Sequence, residues 1–177
     1  MTVEFALALP FLLWALGAIF VFVAAFDARA TLTKATYTIA DLFSRQTDPV
    51  TPDFLKQTGE VLAFLTGPAR APRMRVSVVH CASGCDGNDR VLALDWSEGL
   101  DDLPGMTVDA LNAADIASRI PILDPGNRVI VVETVMPFAP PLAFGLPART
   151  FRSLMVVPPR FAPQLCWQRC GPAPPAS

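Results

Sequence analysis

From Phe5 to Phe26 every residue is apolar, glycine or proline. At about 1.5 Å per residue such a run forms a helix roughly 33 Å long, and the hydrocarbon core of a bilayer is about 30 Å thick. A buried helix of a soluble domain rarely runs this far without a polar side chain. A cleaved secretory signal is the stronger rival, but its apolar region is usually about 7–15 residues and follows basic residues. Here the run is longer, nothing basic precedes it, and no Ala-x-Ala site follows it. The reading is a retained single-pass anchor over residues 1–26, with the lipid bilayer as its first partner.

The remainder is large enough for one small domain. Charged residues make up 17% of the 177, and the formal net charge is −2. The 14 basic residues form no run or stripe, so nucleic-acid binding has no electrostatic footprint. Arg29 and Lys34 follow the span and would favour a cytoplasmic C-terminus by the positive-inside rule. Four cysteines in the remainder favour an oxidising compartment instead. A basic leader upstream of Met1 would reconcile the two, and the expected location is a bacterial inner membrane with the domain outside the cytoplasm.

Past Asp27 the helical pattern continues, with Ala28, Leu32, Ala35, Ile39 and Leu42 at alternating spacings of four and three. No Gly or Pro lies between Asp27 and Asp48, so one helix is expected from Thr2 to Arg45, its second part covering 27–46. Pro10 is placed to kink the buried half. Thr51-Pro52-Asp53 reads as the start of a second helix that ends before Gly67-Pro68. Strands are expected at Arg73–His80 and Val91–Ser97, forming a hairpin, then at Val129–Phe138 and Phe151–Val157. Val108–Ile120 reads as a third helix. The sum is an α+β fold: a long N-terminal helix packed on a small, mainly antiparallel sheet. The domain covers 47–170, and the tail 171–177, Gly-Pro-Ala-Pro-Pro-Ala-Ser, is expected to be disordered.

Glu4 sits at the edge of the apolar run. Its carboxylate either snorkels to water or meets a cation near the hydrocarbon. The segment Thr2-Val3-Glu4-Phe5-Ala6-Leu7-Ala8-Leu9-Pro10 closely resembles the N-terminus of TadE/TadG-like proteins, minor pseudopilins of tight-adherence (Flp-type) pili. The resemblance covers about the first 45 residues, with a looser echo in Pro125–Glu133. The family carries a short basic leader ending in Gly, which this sequence lacks, and Met1 stands where the family has a small or β-branched residue. The resemblance implies a pilin-like fold, with Glu4 and Phe5 in the motif read by the processing and assembly machinery. In related pilins this Glu pairs with the α-amine of the next subunit. The implied partners are other pilin and pseudopilin subunits. A stand-alone membrane-anchored binding or adhesion module is the alternative.

The cysteines fall in two C-x3-C pairs, Cys81 with Cys85 and Cys166 with Cys170. Disulfides are expected, with three possible connectivities. Cross-pairing, which would tie the C-terminal tail to the hairpin loop, is the favoured arrangement. Zinc on these four with His80 nearby is the competing reading, although paired zinc ligands most often come as C-x2-C. Beyond the cysteines nothing gathers into a recognised catalytic set, so no enzyme activity, cofactor, metal or small-molecule substrate is expected. Asp95…Glu98 and Asp101-Asp102 read as solvated acidic clusters. Glu133 interrupts an apolar strand, which puts it either on an exposed face or in a buried pair.

Overall fold

A computed structural model describes residues 2–67, 70–87, 89–100, 102–142 and 145–170, without the side chains of residues 2–4 and 6. The expected tail, 171–177, lies outside the described residues. Helix α1 runs unbroken over Thr2–Arg45 and includes Pro10. Helix α2 covers Pro52–Thr66. It begins where Thr51 takes extended backbone and its hydroxyl accepts a hydrogen bond from the Phe54 N–H, with Pro52 and Asp53 in the first turn. It stops at Gly67, whose φ of 93° a side chain would oppose.

Four strands follow: β1 (Arg73–Ser83), β2 (Val91–Gly99), β3 (Arg128–Phe138) and β4 (Arg149–Val157). They form one sheet in the order β2-β1-β3-β4, every neighbouring pair antiparallel. The expected β1–β2 hairpin is present. The central pairing, β1 with β3, joins segments far apart in sequence, with Arg75 opposite Glu133 and Val78 opposite Ile130.

Both faces of the sheet are covered, and strand alternation sorts the side chains between them. Met74, Val76, Val78, Ile130 and Val132 point to α1 and α2, where they meet Ile39, Phe43, Leu55 and Leu62. Val79, Cys81, Val129 and Val131 point the other way, against Leu92, Leu111, Ile120 and Leu123. Cover on both faces explains why β3 reads as an almost continuous apolar run rather than an alternating one.

Two expectations change. The third helix is not continuous: α3 (Val108–Asn112) and α4 (Ala114–Ala117) are separated at Ala113, which has extended backbone. The cause is Asn112, whose carboxamide accepts from the Leu92 N–H and donates to the Leu92 carbonyl, in effect adding an amide pair to the edge of β2. The buried seam of α1 also ends on Phe43 rather than Leu42, which is half-buried. From Ile39 the next residue on the core side lies four positions on, since a 3.6-residue helix drifts against a strict four-three alternation.

Candidate functional site

Helix α1 has two surfaces in series. From Phe5 to Phe20 its large apolar side chains face outward on all sides; Phe5 is 67% exposed and Phe11 78%. Burial begins at Val21 and recurs at Ala25, Ala28, Leu32, Ala35, Thr36, Ile39, Ala40 and Phe43. The Thr36 hydroxyl locks this second half to the sheet through a 2.5 Å hydrogen bond with Thr134. The domain therefore grips α1 ahead of the expected boundary at residue 26. The free portion, Thr2 to Phe20, is roughly 28 Å long, close to a hydrocarbon core of about 30 Å. Helix α1 is long and apolar enough to cross a membrane.

Of the two motif residues at its start, Phe5 points outward, while the Glu4 side chain lies outside the described residues. Sequence reasoning located this end of the helix. It did not foresee that the domain would reach down to Val21, because Val21 and Ala25 lie inside a run that is apolar on every face.

The cysteines pair locally, which overturns the expected cross-pairing. Cys81 is bridged to Cys85 and Cys166 to Cys170, with Cα separations of 5.8 and 5.1 Å. In each motif the chain reverses within the four-residue step. Gly84 does so with a φ of 63°, and Gln168 with a φ of 55°. The C-terminal segment is held elsewhere: Val50 donates to the Cys166 carbonyl and Gln168 donates to the Val50 carbonyl, both at 2.8 Å. Trp96 adds its indole N–H to the Leu165 carbonyl at 2.7 Å. Residues 165–168 are thus anchored at the α1–α2 joint. With all four thiols bridged, the zinc arrangement has no thiolate left to use. Two local disulfides suit an oxidising, extracytoplasmic compartment.

Loops this short constrain the unfolded chain modestly, by about 2 kcal/mol per bridge in the chain-entropy model against about 4–5 for a long cross-link. Reduction should therefore lower the guanidinium midpoint of the full chain in detergent by the equivalent of about 2 kcal/mol per bridge, without unfolding it. A non-reduced digest should yield each motif bridged to itself; peptides joining Cys81 or Cys85 to Cys166 or Cys170 would contradict the local pairing.

Cys81, Cys85 and Cys166 help line an open cleft of about 1140 Å³ at the end of the domain away from the anchor. Asp95, read from the sequence as part of a solvated acidic cluster, is on β2 and lines this cleft. One carboxylate oxygen accepts a hydrogen bond from Arg128 Nε at 2.6 Å. The other lies 2.8 Å from His80 Nδ1, whose N–H is not aligned to donate to it. Two cationic or potentially cationic groups thus balance one acid. Trp96 and Trp167 stack obliquely along the same wall, 5.5 Å between centroids. Glu98 shares the strand, Asp102 is exposed, and Asp101 lies outside the described residues. His80, Asp95 and Arg128 are far apart in sequence, so no spacing signal could have grouped them.

Among the described residues no three His, Cys, Asp or Glu side chains come together in a metal-binding arrangement. No family model, curated protein or solved structure matches this chain.

Glu133 occupies the buried-pair alternative. It is 5% exposed, and its carboxylate accepts from Arg75 Nη2 on the neighbouring strand and, at 3.5 Å, from Arg152 Nη1. Arg75 also donates to the Pro104 carbonyl, which fixes the loop after β2. This is a structural charge pair within the sheet, away from the cleft.

Proposed function

We propose that this chain is a pseudopilin-like structural subunit of a tight-adherence pilus, anchored in the bacterial inner membrane with its domain outside the cytoplasm. The observation that carries the reading is the division of α1. One continuous 44-residue helix has a first half apolar on all sides and a second half docked on an antiparallel sheet. A helix exposed and apolar all round suits a lipid environment or a bundle with like helices. A subunit that leaves the bilayer to join a filament core would use the same surface in both places. The Val3-Glu4-Phe5-Ala6 motif supports this reading, with Glu4 as the partner for a neighbouring subunit's α-amine and Phe5 beside it.

The test is genetic. Replacing Glu4 by Ala in the full-length gene should cut surface piliation at least about tenfold while the protein stays in the membrane fraction, since an unpaired amine near hydrocarbon is costly. Normal piliation in a strain deleted for the gene would overturn the assignment. A second reading, a stand-alone anchored binding module, is favoured by the distal cleft with its Trp96–Trp167 wall. It would be supported by normal piliation on deletion together with loss of surface attachment on Trp167→Ala.

A further inference from the structure

The loop joining β3 to β4 carries a signal that the anchor alone does not explain. From Val135, in the last residues of β3, through the loop to Ala148 every residue is apolar, glycine or proline, and four of them are prolines. This is the longest such stretch outside the N-terminal run, and it ends on Arg149. In an ordinary connection between strands, polar and charged residues would dominate.

Its position along α1 explains that composition. Strand β3 runs back along the helix towards the N-terminus. Thr134 meets Thr36, and Met136 packs on Leu32 and Ala28. Pro137, Phe138, Ala139 and Pro141 share a groove with Ala24 and Asp27. The two rises agree: four strand residues cover about 13 Å, and eight helix residues cover about 12 Å. Asp27 is the first charge after the apolar run, so α1 is out of the hydrocarbon by that point at the latest. Pro141 is already level with it, lining the same groove as Ala24 and Asp27. Leu142 is 43% exposed there, and Leu146 lies on the return arm.

Arginines gather at this end of the sheet. Arg149 stands opposite Phe138 at the root of the loop, and Arg73 and Arg152 stand opposite Val135 one step further out. Arg70 lines the groove beside Asp27. The cleft at the far end is mixed in charge, with Asp86 and Asp95 beside His80, Arg128 and Arg169. Arginines ringing an apolar tip are placed to meet lipid phosphates while the tip enters the interface. Prolines help, because each removes an N–H that would otherwise need a partner away from water.

We propose that the two arms of this loop, residues 137–142 and 145–148, form a second contact with the same bilayer that α1 crosses, with an anionic lipid surface as the partner of the surrounding arginines. The proposal rests on reading α1 as a membrane anchor. It makes the domain sit against the membrane in one fixed orientation, with the distal cleft facing away.

The test uses the full chain in vesicles of phosphatidylcholine and phosphatidylglycerol, with acyl chains brominated either near the headgroup, to quench a loop reporter, or near the chain end, to quench Trp14 in the anchor. Trp14 reports the anchor; Trp96 and Trp167 lie at the far end and supply unquenched background. In a Trp14→Phe background, Leu142→Trp adds one reporter in the loop. Its added emission should be quenched at least about twofold by brominated lipid, and about twofold less strongly when phosphatidylglycerol is omitted. If Trp14 is quenched in the wild-type chain and the loop reporter is not, the second contact is wrong while the anchor stands. If neither is quenched, the anchor reading fails and takes this proposal with it. Leu146→Trp gives an independent reporter on the return arm should Leu142→Trp fail to fold, as judged by its disulfide map.

Discussion

Glu133→Ala is expected to lower the unfolding free energy by about 3–5 kcal/mol, because it leaves the Arg75 guanidinium buried without its counter-charge. The Arg75 side chain is 12% exposed and the Glu133 side chain 7%, so water replaces the lost partner poorly. Arg152, the second partner, is 69% exposed and would simply return to solvent. Replacing both members, Arg75→Met with Glu133→Leu, should recover most of the loss, since a buried pair exchanged for apolar groups of similar size is often neutral or better. Guanidinium unfolding of the full chain in detergent, followed by tryptophan emission, measures both. A Glu133→Ala loss below about 1 kcal/mol would mean that the pair is solvated. The effect reaches beyond the pair, since Arg75 also holds the Pro104 carbonyl and thereby the loop after β2.

Phe43→Ala should cost a similar amount, about 3–5 kcal/mol, through lost burial plus the cavity left behind. Phe43 is fully buried and meets Phe54 edge-on at 5.6 Å, in the core shared by α1, α2 and the sheet. Leu42→Ala, one residue earlier and half-buried, should cost distinctly less. Hydrogen exchange in Phe43→Ala should rise over the docked half of α1, while membrane integration, which depends on the residues before Val21, stays unchanged. Equal costs for the two variants would show that the helix docks on a different seam.

Much of the architecture is legible in local signals. The uncharged run and the absence of Gly and Pro after Asp27 mark α1 from end to end, and Thr51-Pro52-Asp53 marks the start of α2. These are short-range effects, in which a side chain acts on backbone within one or two turns. The break at Ala113 is different, because Asn112 forms its amide pair with Leu92 twenty residues away. The same holds for Glu133. Its interruption of an apolar strand was visible, but the choice between solvent and a buried partner depended on Arg75 lying opposite it across the β1–β3 ladder.

The candidate site divides along the same line. Glu4 and Phe5 belong to a contiguous motif and can be read directly, whereas the His80–Asp95–Arg128 cluster exists only after three strands come together. The cysteine pairing was misjudged because loop-closure entropy favours long bridges only when the chain can bring the ends together. Here Val50, through backbone hydrogen bonds, and Trp96, through its indole N–H, hold the C-terminal segment in place, and turns at Gly84 and Gln168 close each motif on itself. By its own periodicity and composition, the sequence determined a long helix with a membrane-length apolar half, an antiparallel sheet and an oxidising destination. Tertiary structure alone decided where the domain grips that helix, which sulfurs meet and which charges are buried. The grip and the buried charges depend on distances between residues remote in the chain, which the strand order β2-β1-β3-β4 sets, whereas each disulfide closes on a local turn that the held C-terminal segment leaves free to form.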